Sequence, residues 1–287
     1  MKIMTINSQI RNLLLLALQE DIGSGDLTTQ FIISKNQKSK AIIFSKSEGI
    51  LAGLEVATLA FKLLDSGAKF RNLKIDGDKI KRGDKILQIY GITQAILSAE
   101  RTALNFLQRL SGIATLTSQF VQQIKKTRAK ICDTRKTTPL WRSLEKYAVK
   151  IGGGTNHRFG LDDMVLIKDN HIKAAGSISE AVKRAKQKNR INVPVEVETQ
   201  NLREFKEALK AGVNFIMLDN FSQKNLKTAV KLIREFEKKS KKKIKIEASG
   251  NVNLENVKKI ARTSVDLISV GKITHSAPAL DFSLKLV

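Results

Sequence analysis

The sequence has little cysteine, few aromatic residues and no long apolar run, and each shortage excludes a class of protein. Its 287 residues include one cysteine, Cys132, which excludes an intramolecular disulfide framework and a multi-cysteine zinc site. No apolar run reaches the roughly 18 residues that a membrane span needs. The run Leu13–Leu18 ends directly in Gln19 and acidic residues, unlike a signal-peptide cleavage site. We therefore expect a soluble cytoplasmic protein.

The charge is strongly unbalanced. Lysine and arginine number 51 against 27 acidic residues, so the formal net charge is +24. Such a balance is typical of nucleic-acid binders, but it also attracts small anionic substrates. Aromatic residues make up only 5% of the chain, which leaves few stacking platforms for single strands. Many lysines lie in stretches typical of solvated helix faces, such as residues 235–245, so charge alone leaves both classes open.

The chain before residue 128 mixes helical and strand patterns. A long helical region over residues 93–127 is predicted to break near Ser111 and Gly112. The other elements predicted here are helices over residues 12–19 and 55–64 and short strands over residues 41–44, 50–52 and 74–90.

From residue 128 onward, short apolar runs alternate with amphipathic helices, which is typical of parallel strands joined by crossover helices. Asn201 is the predicted N-cap of one helix, with Glu204 completing a capping box. Polar residues follow almost every run, which favours an α/β barrel over an open sheet. Six strands are predicted, and one or two strands of a complete barrel stay unplaced. The runs cover residues 129–132, 164–167, 193–197, 215–218, 244–248 and 267–270.

The polar residues at the predicted strand ends form two sets of opposite charge, which a barrel would bring to one mouth. The cationic set is Arg135, Lys136, His157, Arg158 and Lys168, and the acidic set is Glu198 and Asp219. Arginine forks bind planar carboxylates by charge-assisted hydrogen bonds worth roughly 1.5–3 kcal/mol each. The two sets therefore indicate a substrate with carboxylates or phosphates, bound beside a sugar or a metal. Backbone N–H groups before helix starts, at Ser249–Gly250 and Val270–Gly271, are a common way of holding phosphate.

All three histidines, His157, His171 and His275, lie in these polar segments, so at least one is predicted to be functional, with His157 first. Glu196 and Glu198 lie two apart on a predicted strand and so point to one face. We expect that face to be the barrel interior near its rim. Buried charges there need partners, which the cationic set or a magnesium ion would supply.

Simpler interpretations exist for several of these features. Arg135 and Lys136 are also compatible with a solvated strand end, and Gly152–Gly154 with a merely flexible loop. Cys132 is predicted to be a buried strand residue. The glycines fit neither a P-loop nor a dinucleotide fingerprint, and no Ser/His/Asp order is evident.

Eight segments, in order and over nearly the whole chain, carry a more specific signal. They are Glu20–Thr29 (EDIGSGDLTT), Glu100–Thr115 (ERTALNFLQRLSGIAT), Asp133–Thr137 (DTRKT), Gly152–Arg158 (GGGTNHR), Val165–His171 (VLIKDNH), Met217–Phe221 (MLDNF), Glu247–Asn251 (EASGN) and Val270–Ser276 (VGKITHS). Together they resemble the quinolinate phosphoribosyltransferase (nicotinate-nucleotide pyrophosphorylase) family. Any one of these motifs is a weak signal, but so many in sequence are a strong one.

The resemblance implies a fold and an activity. The fold is α/β, with an N-terminal α/β sandwich over residues 1–115, joined by the tail 277–287, and an incomplete TIM-like barrel over residues 116–276. The activity is transfer of phosphoribosyl from phosphoribosyl pyrophosphate to quinolinate with Mg²⁺. It yields nicotinate mononucleotide, pyrophosphate and carbon dioxide, in de novo NAD biosynthesis. Members are homodimers or larger assemblies, and neither nucleic acid nor membrane is an implied partner.

The resemblance also implies residue roles. Quinolinate's carboxylates would be bound by Arg135, His157, Arg158 and Lys168, with Arg101 lent by a neighbouring subunit and Lys136 near the phosphates. Glu198 and Asp219 would lie at the ribose and the metal, directly or through the phosphoribosyl donor, and would act in catalysis with Lys168. The 5′-phosphate cradle would comprise Ser249, Gly250, Asn251, Val270, Gly271 and His275.

One departure and three alternatives accompany this resemblance. Family members commonly have a glycine after the proline of the Asp133 motif, where this chain has Leu140. The enzyme alternatives are the homologue associated with molybdate transport genes and a paralogue that uses nicotinate without decarboxylation. Five cationic residues favour a diacid over nicotinate. The third alternative, a polyanion binder, leaves the acidic pair unexplained, because carboxylates repel phosphate.

Overall fold

The structure is a computed structural model that describes residues 7–287. Its helices are α1 (Ser8–Ile22), α2 (Leu27–Ile32), α3 (Leu54–Leu64), α4 (Thr93–Ile124), α5 (Arg142–Ile151), α6 (Asp169–Ala175), α7 (Ile178–Lys188), α8 (Leu202–Ala211), α9 (Gln223–Ser240), α10 (Val257–Ala261) and α11 (Lys272–His275). Its strands are β1 (Lys38–Ser45), β2 (Gly49–Ile50), β3 (Lys69–Asn72), β4 (Lys79–Ile80), β5 (Lys85–Ile92), β6 (Lys130–Cys132), β7 (Val165–Ile167), β8 (Val195–Thr199), β9 (Phe215–Asp219), β10 (Lys245–Ser249), β11 (Leu267–Ser269) and β12 (Phe282–Leu286).

The chain divides into two units, and the first is built on an antiparallel sheet. This unit contains the described residues up to Ser118 together with Thr138–Gly153 and Ser276–Val287. Its four-stranded sheet has the order β12–β1–β5–β3, and β2 pairs separately with β4. The alternation of buried and partly exposed residues is weak in β1, where three consecutive residues are buried, because β1 is an inner strand covered on both faces.

The second unit contains Gln119–Thr137 and Gly154–His275 and is built on a parallel sheet. Its six strands have the order β6–β11–β10–β9–β8–β7, which confirms the six predicted strands and the α/β class. β6 and β7 stand at the two ends of this order, and within residues 7–287 no ladder joins them. The barrel is therefore incomplete, and Thr155 forms an isolated bridge with Cys132 at its open edge. Cys132 is buried, as predicted.

Alternation along the central strands gives the barrel an apolar outer face and a polar inner face. Val197, Ile216 and Ile246 are fully buried on the outer face, towards the helices. On the inner face, Glu198 lies opposite Met217, which in turn lies opposite Glu247. The pleat of β8 thus places Glu196 and Glu198 on one face, as their spacing predicted.

The predicted break at Ser111 and Gly112 is wrong, because α4 runs without interruption from Thr93 to Ile124. Ser111 serves a tertiary contact: its hydroxyl accepts the N–H of Ala52 and donates to the Ala52 carbonyl. A Cβ at Gly112 would clash with the carbonyl oxygen of Pro278. The glycine therefore allows two backbones to approach closely, and packing outweighs its low helix propensity of about 1 kcal/mol relative to alanine.

The N-cap predicted for α8 is confirmed, with a change of detail. The Asn201 side chain accepts the N–H groups of Arg203 and Glu204. The Glu204 carboxylate accepts the N–H of Gln200, one residue before the N–H that a capping box uses.

The predicted domain boundary between residues 115 and 116 stays a prediction. Thr138–Gly153, which carries α5, belongs to the first unit although it lies inside the residues expected to form the barrel. Within the described residues, every helix is too short or too polar to cross a membrane.

Leu140, the departure from the family pattern, has a left-handed backbone. Its φ is +66°, and 81% of the residue is exposed. A non-glycine residue in this region carries a strain of roughly 1–2 kcal/mol, and glycine carries an entropic penalty of about 0.5–1 kcal/mol. The strain at Leu140 is therefore larger than the entropic cost of placing a glycine there.

We predict that Leu140→Gly raises the free energy of unfolding by about 0.5–1 kcal/mol, measured by urea denaturation. Leu161→Gly is the matched control, because Leu161 is also exposed but has no positive φ. That control should lose stability through the greater freedom of its unfolded chain. Equal losses in both variants would contradict the strain at Leu140.

Candidate active site at the carboxyl ends of the strands

Polar side chains at the carboxyl ends of the parallel strands line one cavity of about 430 Å³ in the second unit. Parallel strands end at the same edge, so each strand-end segment contributes to one mouth. The lining residues are Thr134, Arg135, Lys136, His157, Arg158, Leu166, Lys168, Glu198, Met217, Asp219, Glu247, Ser249 and Ser269.

Eight of the fourteen residues predicted from sequence line this cavity, among them the whole cationic set and the whole acidic set. The convergence that the strand-end pattern predicted is therefore present in the second unit. The six that are not among the lining residues are Arg101, Gly250, Asn251, Val270, Gly271 and His275. Arg101 lies exposed on α4 in the first unit.

His157 joins its loop to three strands. Its backbone N–H donates to Asp133 Oδ1 at 2.8 Å, next to the end of β6. Its Nε2 lies 3.1 Å from Glu196 Oε2 on β8 and 3.4 Å from Glu247 Oε2 on β10. Both carboxylates are fully buried. The imidazole therefore bridges two acidic groups that water does not reach.

The two carboxylates lie close together, since oxygen atoms of Glu196 and Glu247 are within 4.8 Å of each other and of the imidazole. Burial and the neighbouring charge of Glu247 raise the pKa of Glu196 to about 7, although His157 and Arg158 oppose the rise. Burial disfavours an imidazolium at His157, but the hydrogen bond to Glu196 and the nearby carboxylate of Glu247 outweigh burial and raise the pKa of this histidine. The remaining Glu247 oxygen, Oε1, accepts the hydroxyl of Ser269.

The position of the ring proton follows from the other nitrogen of His157. The backbone N–H of Arg158 donates to Nδ1 at 2.8 Å, so Nδ1 uses its lone pair as an acceptor. An imidazolium would carry a second proton on Nδ1, directed at the Arg158 N–H, so this contact requires a neutral ring even though the carboxylates raise the pKa of His157. A neutral imidazole with an accepting Nδ1 carries its proton on Nε2. Nε2 is therefore the donor to the carboxylates.

His157, Glu196 and Glu247 also have the composition of a metal site, since their ligand atoms lie within 4.8 Å of one another. A histidine that ligates through one nitrogen normally donates an N–H from the other. Here Nδ1 accepts a hydrogen bond, which leaves no lone pair on Nε2 for a metal. The cluster thus fits a hydrogen-bonded support better than a metal site.

Two guanidinium groups stand side by side at the cavity wall. Burial and the nearby charge of Arg135 lower the pKa of Arg158. Among the described residues, the buried Nε atoms of both arginines have no hydrogen-bond partner. Arg158 Nη1 donates to the carbonyl of Met164 at 3.0 Å, which holds its guanidinium in place. Two half-buried cations with unused Nε donors indicate a ligand that brings acceptors, such as a dicarboxylate.

The acidic set lies on neighbouring strands of the same cavity. Lys168 Nζ contacts Glu198 Oε2 at 2.6 Å, so this lysine is already paired with a carboxylate. Asp219 Oδ2 accepts the side-chain amide of Asn220 at 2.9 Å. Carboxylate oxygens suit a magnesium ion or sugar hydroxyls, and Glu198 and Asp219 have that chemistry.

The predicted phosphate cradle lies beside the lining residues. A Cβ at Gly250 would clash with the Asn220 side chain, and a Cβ at Gly271 would lie 3.2 Å from both His275 and Lys136. Both glycines therefore keep backbone close to the cavity wall. Val270 is different, because its N–H donates to the Cys132 carbonyl at 2.9 Å and is not available to a phosphate.

Sequence reasoning did not single out Glu247 or Ser269 as site residues. A signal for Glu247 existed, because Glu247 and Ser249 alternate on β10 as Glu196 and Glu198 do on β8. Ser269 is one small polar residue at the end of an apolar run, and nothing in the sequence distinguishes it from a buried strand serine.

Two family models match the chain. The model described as the quinolinate phosphoribosyl transferase C-terminal domain matches residues 113–285, and the corresponding N-terminal domain model matches residues 26–111. The chain is 46% identical over 278 residues to a probable nicotinate-nucleotide pyrophosphorylase (carboxylating) of Bacillus subtilis, covering 96% of this chain and 93% of that protein. It is 42% identical to a mitochondrial quinolinate phosphoribosyltransferase (decarboxylating) of Nicotiana tabacum, covering 96% and 82%.

Solved structures give the same likeness in three dimensions. The nicotinate-nucleotide pyrophosphorylase of Francisella tularensis superposes with a TM-score of 0.92 at 40% identity, covering 99% of this chain and 98% of that one. NadC of Streptococcus pyogenes gives a TM-score of 0.93 at 41% identity over the full length of both chains.

We predict that Glu196 makes stability fall as pH rises. The pKa of its carboxyl group, usually near 4.5, is raised to about 7 in the folded protein, so the native state holds a proton that the unfolded chain releases. Stability is then greatest below about pH 4.5 and is lost as pH rises through about 7. Between pH 5 and pH 8, wild-type Tm should fall relative to that of Glu196→Gln. Glu180→Gln, at a half-buried position on the surface helix α7, is the control and should follow the wild type. A constant difference between wild type and Glu196→Gln would refute the raised pKa.

Proposed function

The chain belongs to the quinolinate phosphoribosyltransferase family, and from that premise we propose how its cavity performs the family's reaction. The protein is a pentosyltransferase of de novo NAD biosynthesis. It transfers phosphoribosyl from phosphoribosyl pyrophosphate to quinolinate, which loses carbon dioxide to give nicotinate mononucleotide and pyrophosphate. The roles of individual residues below are our proposal.

The unpartnered guanidinium donors carry the proposal. Arg135 and Arg158 lie side by side with their Nε atoms buried and without hydrogen-bond partners among the described residues. Quinolinate brings two adjacent carboxylates, which would supply acceptors to both groups. Lys168 lines the same cavity and would add an ammonium group to the carboxylate site. Both ring nitrogens of His157 are already engaged, so this histidine would contribute by holding Arg158. Holding the ring there would align its nitrogen with the anomeric carbon of the donor, and such positioning lowers a barrier by several kcal/mol.

The acidic side of the cavity suits the phosphoribosyl donor. Glu198 and Asp219 line the cavity and offer hard oxygen atoms, so they fit a magnesium ion, directly or through the donor's pyrophosphate. Bound there, such an ion would neutralise negative charge on the pyrophosphate. The carboxylates would also accept ribose hydroxyls. As pyrophosphate departs, positive charge develops on the ribose, and the same carboxylates would stabilise it.

Decarboxylation follows from the product of the transfer. The glycosylated ring nitrogen is positively charged and withdraws electrons from the neighbouring carbon, C2. The bond between C2 and its carboxylate breaks, carbon dioxide leaves, and the electron pair stays on C2 beside the positive nitrogen. A proton from Lys168 or water then completes nicotinate mononucleotide. Lys168 has a carboxylate partner in Glu198, which would keep its ammonium in the cavity.

The other end of the donor would lie on the glycines at the strand ends. Ser249, Gly250 and Asn251 follow β10, and Gly271 and His275 follow β11. The left-handed φ of +93° at Gly250 and +49° at Asn251 turns the backbone sharply at this point. Consecutive N–H groups in such turns form concavities that bind the 5′-phosphate. Lys136, beside Gly271, would add a positive charge.

Assembly and location complete the proposal. We propose a cytoplasmic homodimer or larger homo-oligomer in which Arg101, exposed on α4, is lent to the cavity of a neighbouring subunit. A lent arginine would add a third guanidinium to the dicarboxylate site.

We expect the purified protein to release carbon dioxide and form nicotinate mononucleotide from quinolinate, phosphoribosyl pyrophosphate and magnesium. Nicotinate, tested in parallel, has one carboxylate and should be turned over at least tenfold less efficiently, since one charge-assisted bond is worth roughly 1.5–3 kcal/mol. Comparable turnover of nicotinate would favour the paralogue that does not decarboxylate. Binding of random duplex DNA without turnover would favour a polyanion binder.

Arg135→Ala should raise the KM for quinolinate by roughly tenfold to a hundredfold, because it removes a charge-assisted fork from the acid. The KM for phosphoribosyl pyrophosphate should stay within about twofold. Steady-state kinetics with each substrate varied in turn measures both. Arg184→Ala is the control, since Arg184 is exposed on α7 and pairs with Glu180. Equal losses for both substrates in Arg135→Ala would contradict the proposed division of the cavity.

A further inference from the structure

We infer that Glu196 and Glu247 are positioning residues of the quinolinate site, which hold His157 in one tautomer and, through its Nδ1, hold Arg158 at the cavity wall. The inference rests on the proposed function of Arg158 as a carboxylate ligand. It assigns a task to two buried carboxylates that the reaction itself does not use.

Glu196 must act through another residue. Its side chain is fully buried and is not among the residues that line the cavity. A buried carboxylate costs several kcal/mol unless partners compensate it, so its presence on the inner face of β8 needs a reason. The hydrogen bond that it makes is with His157, at 3.1 Å. Its effect on substrate therefore passes through the imidazole.

Glu247, on β10, contacts the same imidazole from a second strand. Its Oε2 lies 3.4 Å from Nε2, and its Oε1 is fixed by the hydroxyl of Ser269 on β11. Two acceptors on one side of the ring favour a proton on Nε2 over a proton on Nδ1. The carboxylates thus set the tautomer as well as the orientation of the ring.

The tautomer determines what the ring can do on its other side. With the proton on Nε2, Nδ1 is an acceptor, and it accepts the Arg158 backbone N–H at 2.8 Å. A proton on Nδ1 would turn this attraction into a contact between two N–H groups. Arg158 is held a second time at its guanidinium, where Nη1 donates to the Met164 carbonyl. Backbone and side chain are therefore both fixed before substrate arrives.

Two substitutions at Glu196 distinguish loss of its hydrogen-bond acceptor from loss of its negative charge. Glu196→Leu removes the acceptor and should raise the KM for quinolinate roughly tenfold or more, the effect of one lost charge-assisted bond. The KM for phosphoribosyl pyrophosphate should stay within about twofold, because Glu198, Asp219 and the glycines proposed to bind the donor are unchanged. Glu196→Gln keeps an acceptor oxygen and should stay within about threefold of the wild type for both substrates. Glu247→Leu should resemble Glu196→Leu.

Asp76→Asn is the matched control for loss of a buried carboxylate. Asp76 is buried in the first unit and accepts hydrogen bonds from Gly53, Leu54 and Tyr147. This variant should lower Tm and leave both KM values unchanged. If it shifts the quinolinate KM as Glu196→Leu does, general destabilisation explains the effect and the inference is wrong.

The ring itself provides a readout that does not depend on activity. In ¹⁵N NMR spectra of the intact wild type at neutral pH, His157 should show a protonated Nε2 and an unprotonated Nδ1. Its signals are assigned by their loss in His157→Asn. A wild-type ring protonated on Nδ1 would overturn the inference, even where the leucine variants fail to fold.

The outcomes also distinguish this inference from the proposed function. A wild type that does not turn over quinolinate contradicts the proposed function, whatever the tautomer. A wild type that does so, with Glu196→Leu and Glu247→Leu unchanged in quinolinate KM, contradicts the positioning role alone.

Discussion

The contact between the His157 imidazole and two buried carboxylates is the interaction on which the rest of the site depends. It ties the loop between β6 and β7 to β8 and β10, while the His157 N–H ties the same loop to Asp133 at the end of β6. Moving this loop would take the imidazole away from both buried carboxylates and leave Glu196 without its hydrogen bond to His157, at a cost of several kcal/mol. The loop is therefore held by contacts to three strands, although it has no regular structure of its own. Arg158, the next residue, takes its position from that loop.

The same principle of compensated charge organises the rest of the cavity. Cations and carboxylates line it together, with Lys168 joined to Glu198 and Arg158 lying near Glu196. The lining of the cavity is nearly balanced, with two arginines and two lysines against three carboxylates. This balance suits an acid and a sugar in one pocket. The guanidinium donors that stay unpartnered among the described residues are those that a dicarboxylate would satisfy.

The first unit uses buried carboxylates in a comparable way, to hold backbone in place. Asp76 accepts the N–H groups of Gly53 and Leu54 at the start of α3 and the hydroxyl of Tyr147. Glu145, fully buried on α5, pairs with Arg109 and accepts the N–H and hydroxyl of Thr138. Thr138 follows directly after the motif that carries Arg135 and Lys136. Buried carboxylates in both units therefore hold backbone segments in place.

The sequence by itself determined the six parallel strands, the polar residues at their ends, and the common face of Glu196 and Glu198. These are properties of neighbouring residues, because alternation and apolar runs are read within a few positions of the chain. Local signals gave a wrong prediction where a contact distant in sequence was stronger. Ser111 hydrogen-bonds the backbone of Ala52, and Gly112 allows the backbone of Pro278 to approach, so α4 continues through both residues. Tertiary structure alone decided that His157, Glu196 and Glu247 meet. It also decided that Val270 donates its N–H to the Cys132 carbonyl and that Leu140 has a left-handed backbone. The physical reason is distance: many side chains are chemically equivalent partners along the chain, and only strand order and register bring one set within hydrogen-bond reach.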